Sequence, residues 1–330
     1  MKYILAFISG VALLLGAGLF YVAHSYRSAG PLAQLTNIIL PKGTGVVAAA
    51  DLLQAHHVIA HKYIFIAAVK FRNGASLKAG EYEFPTAISM EKALDKMLRG
   101  DVVHHRFTIP EGLTSFEIIN LLSKVERLSN SIEHIPSEGA LLPETYDFET
   151  GDTRQEKVDE MAAAMTTTLA TLWAARASDS PFKTPQEALT LASIVEKETG
   201  KASERKIIAG VFLNRLKIGM PLQSDPTVIY ALTMGQPQSD GQGPLGRRLL
   251  SKDLSIPSPY NTYLNVGLPP APIANPGKDA IAAVLNPEHH DYLYFVADGT
   301  GGHVFAKTLQ EHNQNVDEWR KKRREMSVQP

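Results

Sequence analysis

The chain has 330 residues, no cysteine, and 33 basic against 34 acidic side chains, a balance that offers nucleic acid no general attractive field and excludes that partner class. With 44% hydrophobic and 20% charged residues, it can bury a core and has the length for two domains. The absence of cysteine removes disulfides, thiolate metal sites and cysteine nucleophiles together.

The first predicted element is the run Tyr3–Ala23, 21 residues without a charged side chain. As a helix it spans ~31 Å, the thickness of a bilayer's hydrocarbon core. A cleaved signal would have a shorter apolar stretch ending at a small-x-small site. This run ends instead in Tyr21-Val22-Ala23-His24, which predicts a retained anchor. Lys2 faces Arg27 across the span, and the terminal amine tips the balance toward an N-terminus inside.

Ser28–Ala33 reads as a linker. Asn37–Leu40 follows as a strand, and Val46–His56 and His61–Phe71 have helical spacing. Leu77–Pro85 is a short strand. Ser89–Leu98 is a helix with a Ser cap that stops at Gly100, and Val102–Ile109 is a further strand. Beyond Pro110-Glu111-Gly112, Thr114–Leu122 and Asp152–Ala177 are helical. Gly235–Gly246 is a Gly/Pro/Gln loop, and Pro257–Pro276, with six prolines, is extended ordered loop. The basic run Arg320–Arg324 belongs to a solvated terminal helix. The fold class is α+β, with a membrane anchor at 1–27, a small α+β module at 28–109 and a mixed α+β domain at 110–330.

The strongest local signal is Thr184-Pro185-Gln186-Glu187, which predicts a complete capping box with Pro at the first helical position. In the helix that follows, Ala188, Leu191, Ala192, Ile194 and Val195 share an apolar face. Glu196 and Glu198 fall on its two margins, and Lys197 points to solvent with Thr190 and Ser193. A carboxyl beside apolar side chains loses hydration and stays protonated nearer neutral pH, the state a glycosidic general acid needs. Both glutamates also suit the wet edges of an amphipathic helix, and periodicity favours Glu198 only slightly, because its neighbours Leu191 and Ile194 desolvate better than Ala192 and Leu189 beside Glu196.

A helix starting near Ser203 carries Asn214 toward its end. The polar loop Met220–Thr227 re-enters a helix at Val228 and holds Gln223, Asp225 and Thr227, and a later loop holds Tyr260, Asn261 and Tyr263. Tyrosines, amides and hydroxyls on ordered loops suit a sugar, which needs ring stacking together with donors and acceptors. Turn formation is the rival reading for each of these residues. The 11 histidines include adjacent pairs but no H-E-x-x-H spacing, so a metal site is not expected. Neither a G-x-S-x-G elbow nor a phosphate-binding loop is present.

The stretches LASIVEKET (191–199), FLNRL (212–216), LQSDPTVIYAL (222–232), SPYNTY (258–263), GLPP with IANPG (267–277) and YLYFVADGTGGHVFAKTLQEHNQNV (292–316) occur together and in order. In this the chain resembles the endolytic murein transglycosylase family from its anchor to about Val316. Two departures are Ala271, where the family pattern GLPPG has Gly, and Glu144, where the family often has Asp.

The resemblance implies that Glu198, the second glutamate of E-K-E, is catalytic. It also implies that the module at 28–109 is LysM-like, and that the substrate is the MurNAc-β-1,4-GlcNAc bond of peptidoglycan glycan strands, cleaved without water to leave 1,6-anhydroMurNAc ends. No cofactor is implied. The implied setting is a single pass through the bacterial inner membrane, catalytic domain outside the cytoplasm, with a peptidoglycan synthase or division complex as the partner class and termination of glycan elongation as the role. A non-catalytic, membrane-tethered peptidoglycan-binding scaffold is the rival reading.

Overall fold

The computed structural model describes residues 2–72, 76–238 and 244–328. It opens on one unbroken helix, α1 (Lys2–Arg27), long and apolar enough to cross a membrane and exposed along the whole apolar run. The chain divides into two compact units. The first comprises Met1–Arg106, Glu126–Ser129 and Asp147–Thr153; the second comprises Phe107–Val125, Asn130–Tyr146 and Arg154–Pro330.

The first unit runs β1 (Thr36–Leu40), α2 (Val46–Ala55), α3 (Lys62–Phe71), β2 (Gly80–Phe84) and α4 (Met90–Arg99). β1 and β2 pair antiparallel, with Ile38 opposite Tyr82. Alternation along β1 and β2 turns Ile38, Leu40, Tyr82 and Phe84 onto one core with Leu53, Phe65, Val69 and Leu94 from the helices. The Ser89 hydroxyl accepts the Lys92 N–H at 3.3 Å. Gly100 ends α4 in the left-handed region (φ 72°), where a glycine carries no Cβ penalty.

Compared with the expected module at 28–109, this unit also takes in 126–129 and 147–153, and a buried carboxylate explains why. Glu81, 2% exposed, meets Asn37 Nδ2 at 2.9 Å, His105 Nε2 at 2.8 Å, Arg127 Nε at 3.0 Å and Thr150 Oγ1 at 2.8 Å. Burial pushes this carboxyl up, but the hydrogen bonds from His105, Thr150 and Asn37 and the Arg127 charge outweigh it and hold it at about 2.

β3 (His104–Thr108) pairs with β4 (Thr145–Glu149), a strand the sequence reading did not anticipate. Within the second unit, α5 (Ser115–Ser123) is followed by α6 (Arg154–Ala174), α7 (Pro185–Glu198), α8 (Arg205–Lys217), α9 (Asp225–Thr233) and α10 (Lys278–Leu285), and these last five surround a core that includes Leu191, Ile194, Val195, Ile208, Phe212 and Ile281. The chain ends in an antiparallel hairpin, β5 (Tyr294–Ala297) with β6 (His303–Ala306), and α11 (Leu309–Val328). The 257–276 segment is turns and extended chain without helix or strand, as its prolines predict. The expected 235–246 loop lies partly outside the described residues.

Two expectations about α7 need correction. Thr184 Oγ1 accepts the Glu187 N–H at 3.2 Å, but the Glu187 carboxylate reaches past Thr184 to the Lys183 N–H at 2.6 Å, so the capping box is half formed. Thr190 and Ser193 do not face solvent. Ser193 Oγ donates to the Thr190 carbonyl at 2.8 Å and accepts the Ile273 N–H at 3.0 Å, so the proline-rich segment covers the polar side of the helix. α9 also starts three residues earlier than expected, because Pro226 in its first turn gives up no helical hydrogen bond.

Glu81→Gln is expected to destabilise the first unit by about 2 kcal/mol near neutral pH, since it strips the charge that balances half-exposed Arg127. A depressed carboxyl adds stability above its unfolded value of about 4 and loses it as pH falls through about 2. Urea unfolding, read through amide exchange in β1 and β2, should therefore show the gap between variant and parent narrowing across that acid window.

Candidate active site

Glu198 is the last residue of α7, and Thr199 breaks the helix with extended backbone. The side chain opens into a cleft of about 320 Å³ lined also by Arg215 of α8, Gln223 and Asp225, Tyr263, Tyr294 and Phe295 of β5, and Leu309 and His312 of α11. Every wall belongs to the second unit.

One oxygen of the carboxyl is held and the other is left open. Ser224 Oγ donates to Glu198 Oε1 at 2.5 Å, while Oε2 has no hydrogen-bond partner among the described residues. Ser224 is 1% exposed and is itself fixed from two sides. Its N–H donates to Thr262 Oγ1 at 3.1 Å, and its carbonyl accepts the Thr227 hydroxyl at 2.6 Å. Thr227 has thus used its proton, so in the 2.8 Å contact between the two threonine hydroxyls Thr262 donates. Each donor in this buried chain has one destination, and the Ser224 hydroxyl proton goes to the glutamate.

Burial pushes the Glu198 carboxyl up to about 7. The neighbouring Asp225 charge adds to the rise, while the Ser224 hydrogen bond, His303 and Arg215 pull the other way. The carbonyl end of α7 also disfavours a negative charge there. Arg215 is buried, donates to the carbonyls of Leu293 (2.7 Å) and Leu222 (2.6 Å), and lies 5.5 Å from the Tyr294 ring. Burial lowers its own pKa, and no carboxylate lies within 4 Å of it among the described residues.

Glu196, two residues back, has a different setting. Its side chain is 5% exposed, with Oε1 3.2 Å from Arg205 Nη2 and Oε2 accepting the Gly277 N–H at 2.9 Å. Both of its oxygens are engaged in holding α7 to the start of α8 and the entry to α10. The half-buried Glu138 carboxyl is also pushed up to about 7 by burial, but it accepts the Ser115 N–H at 2.9 Å and does not line the cleft.

The sugar-site candidates separate into two groups. Gln223, Asp225 and Tyr263 line the cleft, and Thr227 lies beneath it. Gln223 has φ 49°, uncommon for a residue with a side chain, and its N–H is tied to the Thr262 carbonyl at 3.1 Å. Tyr263 donates to Asp225 at 2.6 Å, and burial together with that bond keeps the phenol protonated.

The structure does not bring Asn214, Tyr260 or Asn261 into the cleft. Asn214 donates to the carbonyls of His290 (2.7 Å) and Tyr292 (3.0 Å), tying α8 to the segment before β5. Asn261 is fully buried and staples its own loop through the carbonyls of Leu254 and Ile256, both at 2.9 Å. Tyr260 packs on Tyr230 with ring centres 4.8 Å apart.

Sequence reasoning missed Ser224, Arg215, Tyr294, Phe295, Leu309 and His312 as site residues. Ser224 carried a readable signal as the residue preceding a Pro-started helix. The strand and helix that bring the last four to the cleft were not separated out of 292–316.

The profile of the YceG-like family matches residues 38–318. The endolytic murein transglycosylase of Streptococcus pneumoniae serotype 2 (strain D39) is 32% identical over 368 aligned residues, covering 96% of this chain. The chain spans 65% of that relative's length. The protein of the same name from Bacillus subtilis (strain 168) is 33% identical over 315 residues, covering 86% of this chain and 84% of its own. A crystal structure of a yceG-like protein from Listeria monocytogenes superposes with a TM-score of 0.52 at 34% identity, covering 86% of this chain and 99% of that one.

Asp225→Asn removes a negative charge that holds the Glu198 proton on. A carbon-13 titration of the Glu198 side chain should therefore show its pKa moving down from about 7; an unmoved or raised value would contradict the electrostatic account of the cleft.

Proposed function

Because the chain belongs to the YceG-like family, we propose that it is an endolytic peptidoglycan lytic transglycosylase with Glu198 as its one catalytic acid and base. The observation that carries the reading is the Glu198 carboxyl itself, poised at about 7 in an open cleft, with one oxygen fixed by Ser224 and the other free for substrate.

The chemistry follows from that arrangement. The protonated carboxyl gives its proton to the glycosidic oxygen as the bond from C1 of N-acetylmuramic acid to N-acetylglucosamine breaks and oxocarbenium character develops at C1. The sugar leaves as an alcohol and Glu198 becomes a carboxylate. Ser224 and the nearby positive charge of Arg215 favour that charged form. The carboxylate then removes the proton from the C6 hydroxyl of the same muramic acid as O6 bonds to C1, which closes the 1,6-anhydro ring and restores the acid. The nucleophile is already part of the substrate, so proximity replaces an activated water. Gln223, Asp225 and Tyr263, three of the polar residues that line the cleft, would meet sugar hydroxyls.

In this reading α1 is a single-pass anchor in the inner membrane, the N-terminus is cytoplasmic, and the second unit works on the outer side, where new glycan strands emerge. The first unit is the LysM-like module. Peptidoglycan synthases or division proteins are the partner class consistent with action on nascent strands.

Glu198→Gln keeps the size of the side chain and cannot cycle a proton. It should lower release of anhydro-ended fragments from purified peptidoglycan by at least about 100-fold while leaving the circular dichroism spectrum unchanged. Mass analysis of the products separates the readings: reducing ends would mean a hydrolase, and intact polymer that co-sediments with the parent protein would mean a binding scaffold. The leaving-group step needs the protonated acid, so kcat/KM should fall as pH rises through about 7. A flat profile from pH 6 to about 9 would remove Glu198 from the acid role.

A further inference from the structure

The first unit carries an exposed helical face that neither its core nor the catalytic reading uses. Along α3, Phe65 and Val69 enter the core, while Tyr63, Ala67, Lys70 and Phe71 face outward at helical spacing. Tyr63 is 76% exposed and Phe71 is 90% exposed, unusual values for two aromatic side chains on one short helix.

Two ties fix the level of this helix against α1. At its start, His61 Nε2 meets the Tyr21 hydroxyl at 2.8 Å. At its end, the Arg72 side chain lies beside Tyr26. Tyr21 and Tyr26 are separated by only ~8 Å of rise along α1, whereas His61 and Arg72 are ~16 Å apart along α3. Both ends of α3 are thus tied within the last two turns of α1, at and just beyond the end of the apolar run.

Tyr21 also belongs to the apolar run itself, so the N-terminal end of α3 is level with the boundary of the hydrocarbon. α4 meets α1 further on, where Glu91 approaches Arg27 at 3.9 Å. Of these two contacts the one from the start of α3 reaches further into the apolar run, to Tyr21.

We infer that α3 docks on the lipid–water interface of the membrane that α1 spans, with Tyr63 and Phe71 at the level of the headgroups. The inference rests on the reading of α1 as a membrane span. Tyrosine and phenylalanine suit that layer, where an aromatic body meets acyl chains and a polar edge meets water. Lys70 shares the face and has no ion-pair partner among the described residues, which fits an anionic lipid surface. Lys62 is already held by Asp51 at 2.6 Å. The contact continues an existing one: the span brings the helix to the surface, and the helix then fixes how the first unit is oriented on it. A helix of this length adds little affinity by itself, and beside a permanent anchor it needs none.

The chain has no cysteine, so single labels are unambiguous. The full chain is reconstituted in vesicles of phosphatidylethanolamine and phosphatidylglycerol, carrying Tyr63→Cys, Phe71→Cys, Leu14→Cys or Glu83→Cys with a spin label. Relaxation by oxygen is then compared with relaxation by a water-soluble nickel chelate. Leu14 lies within the apolar run, and Glu83 is exposed on β2. The expected result is a shift toward oxygen at positions 63 and 71, intermediate between the strong shift at 14 and the water-like value at 83. A water-like value at either 63 or 71, with 14 in the bilayer, overturns the docking and leaves the anchor standing. A water-like value at 14 overturns the span and the docking together.

Discussion

The hydrogen bond from Ser224 to Glu198 is the contact on which the rest of the second unit depends. A carboxyl at the end of a buried helix has no intrinsic orientation, and the proposed general acid has to present one chosen oxygen. Ser224 supplies the choice because its own freedom is gone: its backbone is gripped by Thr262 and Thr227, and its hydroxyl has one acceptor. The grip in turn requires two distant loops to meet, the one entering α9 and the one around 258–263. The buried Asn261, bonded to Leu254 and Ile256, and the buried Asn275, bonded to Leu141 and Leu113, hold the proline-rich segment to its path. The amides and prolines of that segment therefore do their work one layer behind the chemistry.

The two glutamates of E-K-E show how a two-residue step on a helix separates structure from chemistry. Two positions turn a side chain by about 200°, so Glu196 and Glu198 leave α7 on nearly opposite sides. On one side Arg205 and the Gly277 N–H neutralise and bind the carboxylate. On the other a cleft removes water and offers a hydroxyl, and no cation comes within ion-pair distance among the described residues. Sequence periodicity placed both at margins of the apolar face and had no means of seeing what would stand across from each.

Elements whose signals are local were legible in the chain. The apolar helix α1, α2, α3, α4 with its Ser89 and Gly100 caps, α5 and the irregular 257–276 segment all follow from spacing, caps and proline content. What escaped depends on partners far away in sequence. β4 is defined by pairing with β3, and the covered polar side of α7 by Ile273, 80 residues on. Arg127 and Thr150 look like loop residues until Glu81 is seen between them. Asn214 and Asn261 were sound as polar residues on well-placed elements and yet satisfy backbone carbonyls. A buried amide with four hydrogen-bonding positions is more readily spent on nearby main chain than left open for a ligand.

Holding Glu198 near 7 also sets a condition on the fold. The unfolded carboxyl ionises near 4, so between there and about 7 the folded chain binds the extra proton. The group is neutral for stability below that window, and its destabilising effect grows as pH rises, to roughly 3 kcal/mol above it. Arg215 lies in the same cleft with no carboxylate in ion-pair range, so a second group opposes its own burial in the same few ångströms. Two such groups persist only where the surroundings over-determine them. The surroundings here do so: Arg215 is clamped by the carbonyls of Leu222 and Leu293, and Glu198 by a hydroxyl chain with no spare donors. The density of hydrogen bonds around the cleft is therefore the counterpart of the raised pKa, because the fold must be strong where the carboxyl is least comfortable.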